Sequence, residues 1–263
     1  MELDLRRALL LIMLCVPSLL TSEVVRVRHR EGVSHGFLTL RGPEGELLAS
    51  GELIQGVKGN EITTELVFHF KDGSLHDETT VISQRGSFRL IKDRLVQKGP
   101  SFPEPVDATI DARAGQVLIT TEEDGKEKSA TEQVKIPDDA ANGMLMILLK
   151  NIDPSTPAAV SFVTPSLKPR VVKQEVTSSR QLPFEVGNRT LEGTEFVVKT
   201  KIGGLAGAVA PILGKQPPDI RFVLSRGKFP TFIRFEGFLY EGGPIWTIDL
   251  AAPHWPKSSG GSQ

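Results

Sequence analysis

The sequence is nearly without cysteine, has no excess charge of either sign, and holds no apolar run long enough to cross a bilayer. Cys15 is the only cysteine among 263 residues, and it lies in a segment expected to be removed. Disulfides, thiolate metal sites and a cysteine nucleophile are therefore set aside for the mature chain. The 31 basic and 32 acidic residues leave a net charge of -1, so nothing in the balance points to nucleic acid or another polyanion. The apolar run Ala8 to Val16 falls far short of the ~20 residues that span a membrane, and no later stretch approaches that length.

What that run does carry is an export signature. Arg6 and Arg7 precede it, and Pro17, Ser18, Thr21 and Ser22 follow. A charged start, a short apolar stretch and a small-residue exit together describe a secretory signal peptide over residues 1–22. Leu14 ahead of Cys15 argues against a lipid-anchored terminus, which wants a small residue there. The expectation is a periplasmic or secreted protein with no transmembrane segment in the mature chain.

From Glu23 onward the dominant period is two, the mark of strands with one buried face. Ile62, Thr64, Leu66, Phe68 and Phe70 share a face, opposite Glu61, Thr63, Glu65, His69 and Lys71, and Asp72-Gly73 follows as a hairpin turn. Similar strands are expected at Glu46 to Gln55, Thr79 to Gln84, Phe88 to Leu95, Val106 to Asp111 and Gln116 to Thr121. In the second half they recur at Val160 to Thr164 and around Phe196, Ile220, Ile233 and Trp246. One-sided alternation belongs to antiparallel sheets rather than parallel ones. The fold expected is mainly β: a large curved antiparallel sheet, a half-barrel or open-barrel meander, with one or two short helices. It forms a single domain over residues 23–256, followed by a disordered polar tail, 257–263.

Two segments break the period. Asp138 to Leu149 follows Pro137 and runs through Met144, Leu145, Met146, Ile147, Leu148 and Leu149, a pattern predicting a short helix against the sheet. Gly203 to Leu213 is uncharged and carries Leu205, Val209, Ile212 and Leu213. Segments this apolar either complete the core or plug or lid the concave side of an unclosed sheet and leave an apolar cavity there. Leu145, Ile147, Leu148, Leu205, Val209, Ile212 and Leu213 are thus the candidate ligand-binding residues, for a lipid or other hydrophobic ligand.

Catalytic signals are sparse. There is no Gly-x-Ser-x-Gly elbow, and no Ser, His and acid stand in a recognisable arrangement. His69, Asp72 and His76 offer two imidazoles and a carboxylate near one turn, the composition a metal-dependent hydrolase would need. Asp72 is equally explained by the turn and His69 by an exposed strand face, so neither catalytic nor metal residues nor a cofactor are assigned. Asp107 and Asp111 belong to a solvated sheet face. Arg26, Arg28 and Arg30 alternate with Val25, Val27 and His29, a basic stripe that either protects an edge strand from mispairing or meets anionic lipid head groups or polysaccharide. Trp246 and Trp255 are the residues a structural module of an envelope assembly would show to a protein partner.

The closing run Asp219-Ile-Arg-Phe-Val-Leu-Ser-Arg-Gly-Lys-Phe-Pro-Thr-Phe-Ile-Arg-Phe-Glu-Gly, after a cleavable signal, a long meander and an apolar insertion, resembles uncharacterised bacterial periplasmic proteins. These are in turn similar to the curled half-barrels of the lipoprotein carriers LolA and LolB. The resemblance implies a curled half-barrel with a cavity in its hollow. It carries over no catalytic residue.

Overall fold

The computed structural model describes residues 24–123, 125–186, 189–201, 217–227 and 229–251. The chain opens with β1 (Ser34–Arg41), β2 (Leu47–Lys58), β3 (Glu61–Phe70), β4 (Leu75–Arg85), β5 (Ser87–Lys98), β6 (Val106–Asp111), β7 (Gln116–Glu123) and β8 (Lys126–Gln133). One short helix, α1 (Leu145–Leu149), intervenes. Then come β9 (Ala158–Val163), β10 (Val171–Val186), β11 (Arg189–Lys201), β12 (Ile220–Ser225), β13 (Phe232–Gly237) and β14 (Trp246–Leu250). The fourteen strands form one antiparallel sheet in the order β8-β7-β6-β5-β4-β3-β2-β1-β14-β13-β12-β11-β10-β9. The expected curved, unclosed β architecture is the one the chain adopts.

Alternation explains the strands locally. In β3, Ile62, Thr64, Phe68 and Phe70 are buried while Glu61, Thr63, Glu65 and His69 are exposed. Gly73, at φ +87°, makes the turn into β4, and Ser74 N donates to Asp72 Oδ1 at 2.9 Å. The two meanders meet where β1 pairs β14, with Leu38 opposite Leu250 and Leu40 opposite Ile248. Register shifts at Val81/Ile82, Ser178/Arg180 and Val223/Leu224 insert extra residues, and such bulges bend a strand and increase its twist.

The segment between β8 and β9 turns into the hollow of the sheet. Ala140, Ala141, Met144, Ile147, Leu148 and Leu149 join a single core cluster with Ile62, Phe68 and Ile82 of one half and Val176, Phe196 and Phe222 of the other. The helix expected over Asp138 to Leu149 is confined to Leu145–Leu149. Ahead of it the backbone serves the sheet instead. Ala141 N donates to Ser161 O, Ser161 N donates to Asp139 O, and the Asn142 side chain bonds both Val163 N and Val163 O. Gly143, at φ +62°, lies outside helical space. These bonds cover the free edge of β9. The other edge, β8, is exposed and dense in lysine and glutamate, which discourages pairing with a second chain.

Arg26, Arg28 and Arg30 do not form the edge strand that their spacing suggests, because the edges belong to β8 and β9. Arg26 makes one isolated bridge to Ser87, and the neighbouring Val25 and Val27 pack on the core. At the β5–β6 connection, Phe102 is buried at 2 % exposure among Phe70, Tyr240 and Trp246, with ring centroids 5.3, 5.7 and 5.9 Å away. Trp246 is therefore a core residue, 3 % exposed, rather than a surface for a partner. Trp255 lies outside the described residues.

Candidate functional site on the concave face

Of the seven residues read from the sequence, the structure places three on the inserted segment. Ile147 and Leu148 are buried in the core cluster, and Leu145 is half-buried against it. Leu205, Val209, Ile212 and Leu213 lie outside the described residues. The neighbouring Leu149 reaches both the core cluster and an open pocket.

That pocket, about 260 Å³, lies between the inserted segment and the inner face of β11 and β12. Its apolar lining includes Leu149, Ile152, Phe196, Leu224 and Pro230, and its charged lining is Arg28, Lys150, Asp153 and Arg226. A second hollow of about 290 Å³ adjoins it, sharing Pro154, Thr194 and Arg226. The segment is fastened at this point by polar bonds: Arg28 N and His29 N both donate to Asn151 Oδ1, at 2.8 and 2.7 Å. Lys150 Nζ meets Glu31 Oε2 at 2.9 Å. Apolar walls with a few convergent polar groups are the usual make-up of a small-molecule site.

The first half of the hollow is more polar. The inward side of β4 presents His76, Glu78, Thr80 and Gln84, and β5 adds Asp93 and Gln97. Thr80 Oγ1 donates to Asp93 Oδ1 at 2.7 Å, and Gly143 lies directly over this pair. Burial pushes the Asp93 carboxyl up to about 6, the Thr80 bond opposing. Burial and the charge of Asp93 push Glu78 up to about 8. Glu78 forms a half-buried row with its paired neighbours Leu66 and Leu95 and with Leu53 beyond. Burial also drives His76 down to about 4, so it is neutral near pH 7. Its Nδ1 bonds Gln97 Nε2 at 3.0 Å, and its Nε2 is buried without a partner. Sequence reading missed Glu78 and Asp93; carrying the alternation of Thr80, Ile82 and Gln84 back by one step would have found Glu78.

His69, Asp72 and His76 are not brought together. His69 is exposed on the outer face of β3, whereas His76 is buried on the inner face of β4. Asp72 is held by its turn and accepts from Ser101 Oγ at 2.7 Å, the bond that chiefly lowers its pKa. Among the described residues no three His, Cys, Asp or Glu side chains are grouped to hold a metal ion. Asp107 sits on the solvated face, paired with Arg94 at 2.8 Å.

No protein-family model, curated protein or solved structure matches the chain.

Proposed function

We propose that the protein is an exported periplasmic carrier that binds a lipid or other hydrophobic ligand, without catalysis, on the concave face of its sheet. The observation that carries this reading is the pocket floored by Leu149, Ile152, Phe196, Leu224 and Pro230. Ile152 and Pro230 are half-buried there, and Leu149, Phe196 and Leu224 are buried. The charged start and apolar run at residues 6–16 supply the argument for export.

Thr194 is half-buried and lines both hollows, so Thr194→Trp would fill the space from a strand without removing core contacts. Titration with an environment-sensitive acyl probe should give saturable binding to the native protein and at least tenfold weaker binding to the variant. The circular dichroism spectra should match. Equal binding by both proteins would remove this pocket as the ligand site.

A further inference from the structure

We propose that one end of the sheet docks on an anionic lipid bilayer, whose head groups meet Arg26, Arg30, Lys58 and Arg85 and whose interface receives Val33 and Phe229. This goes beyond the carrier reading and does not depend on it.

The surface begins at the basic stripe. Val25 and Val27 pack on the core while Arg26, Arg28 and Arg30 are exposed, so the segment lies across the end of the sheet with its charges outward. Backbone bonds join it to the β4–β5 turn: Val27 N donates to Gly86 O at 3.0 Å, and Phe88 N donates to Val25 O at 2.9 Å. Glu31 N donates to Gln84 Oε1 at 2.9 Å. Arg30 Nη2 donates to Gly59 O and Asn60 Oδ1 in the β2–β3 turn, at 3.4 and 3.1 Å. Lys58 and Arg85, both exposed, stand beside these two turns.

The neighbouring carboxylates are already neutralised. Arg28 pairs with Asp153, Arg113 with Glu61 and Lys150 with Glu31. Arg26, Arg30, Lys58 and Arg85 have no carboxylate partner among the described residues, which leaves four positive charges unbalanced. The opposite end of the strands is mixed: Lys71 and Lys98 are exposed there beside exposed Glu44, Glu46, Asp72 and Glu104. Apolar side chains accompany the cations. Val33, just past Arg30, is 81 % exposed, and Phe229 in the β12–β13 turn is 75 % exposed. Arg226 and Pro230 of that turn line one pocket with Arg28 and His29, which places Phe229 at the same end. Cations near a membrane gain from the negative potential of anionic lipid. Apolar side chains beside them gain by leaving water at the interface, a gain that a soluble polyanion does not offer.

Flotation of the protein, purified from a periplasmic extract, with phosphatidylcholine vesicles that contain or lack phosphatidylglycerol tests the surface. The native protein should float only with the anionic vesicles and be released at high salt. Arg26→Gln, Arg30→Gln, Lys58→Gln and Arg85→Gln combined should weaken binding by roughly tenfold or more, and Phe229→Ser should weaken it with every charge kept. Removing the same charge from the opposite end, by Lys71→Gln, Lys98→Gln, Lys168→Gln and Arg170→Gln, should leave binding as it was. Urea midpoints check folding. If the first combination does not fold, Arg85→Glu, a change at one exposed side chain, takes its place and should also weaken binding. Equal flotation with both vesicles, no binding to either, or an equal loss from the two ends would overturn the proposal. Unchanged binding by Phe229→Ser, with dextran sulfate displacing the vesicles, would show a site for soluble polyanions and overturn it as well.

Discussion

Thr80 and Asp93 are joined by a buried hydrogen bond of 2.7 Å, and the backbone of Gly143 rests on it so closely that a Cβ there would lie 1.8 Å from Thr80 Oγ1 and 2.7 Å from Asp93 Oδ1. This contact fixes the inserted segment on the first half of the sheet. Gly143→Ala is expected to destabilise the protein by about 2–4 kcal/mol, since it combines a positive φ with a steric clash against the bonded Thr80 and Asp93 side chains. A urea midpoint unchanged from the native protein would show that the segment is not docked in this way.

Stability should fall as pH rises above neutrality. Glu78 keeps its proton in the folded chain to about 8 and loses it near 4.5 when unfolded, so the folded state binds more protons across that interval. A raised carboxyl pKa contributes stability below the unfolded value, and that contribution is lost as pH rises through the folded one. Asp93, raised to about 6, has finished titrating earlier. Between pH 6.5 and 8.5 the loss should be on the order of 1–2 kcal/mol. Glu78→Gln should flatten it, as read from urea midpoints across the range.

His76 acts on the acid side with the opposite sign. Its folded pKa is lowered to about 4, so its contribution is present above 6.5 and lost as pH falls through 4. Over this range the protonation of Glu78 and Asp93 works the other way, so the His76 part is visible only by difference. His76→Gln is expected to be more resistant to acid than the native protein when each is compared with itself at pH 7. Identical acid limbs would contradict the buried neutral imidazole.

Phe102 closes one end of the core against Phe70, Tyr240 and Trp246. Phe102→Ala should cost about 3–5 kcal/mol, the usual result of emptying a buried aromatic site. Tryptophan fluorescence should also shift to the red as Trp246 becomes wetter. A loss under 1 kcal/mol would mean that the cluster is loosely packed.

The sequence made the one-sided strands legible because their burial is periodic: β3 and β6 follow their alternation, and the Asp72-Gly73 turn is where it was read. Strands without a buried face were not legible. β8 is exposed along almost its whole length, so no apolar period marks it. The polar first half of β4 was missed because His76 and Glu78 occupy inward positions that usually hold apolar residues. Asp93 was hidden by a bulge. Strict alternation from Phe88 and Leu90 points Lys92 inward, but the register shift opposite Val81 and Ile82 inverts the phase and turns Asp93 in. The helix was overread because Asp138 to Met144 spends its hydrogen bonds on the edge of β9, a long-range pairing that no local pattern announces.

Native mass spectrometry of the protein purified from a periplasmic extract, with an organic-solvent extract of the same sample analysed alongside, decides whether the concave face carries a hydrophobic ligand. The expected result is a reproducible added mass that is recovered as lipid and lost in Thr194→Trp. A clean unliganded mass with no lipid in the extract would contradict it and favour a structural part in an envelope assembly.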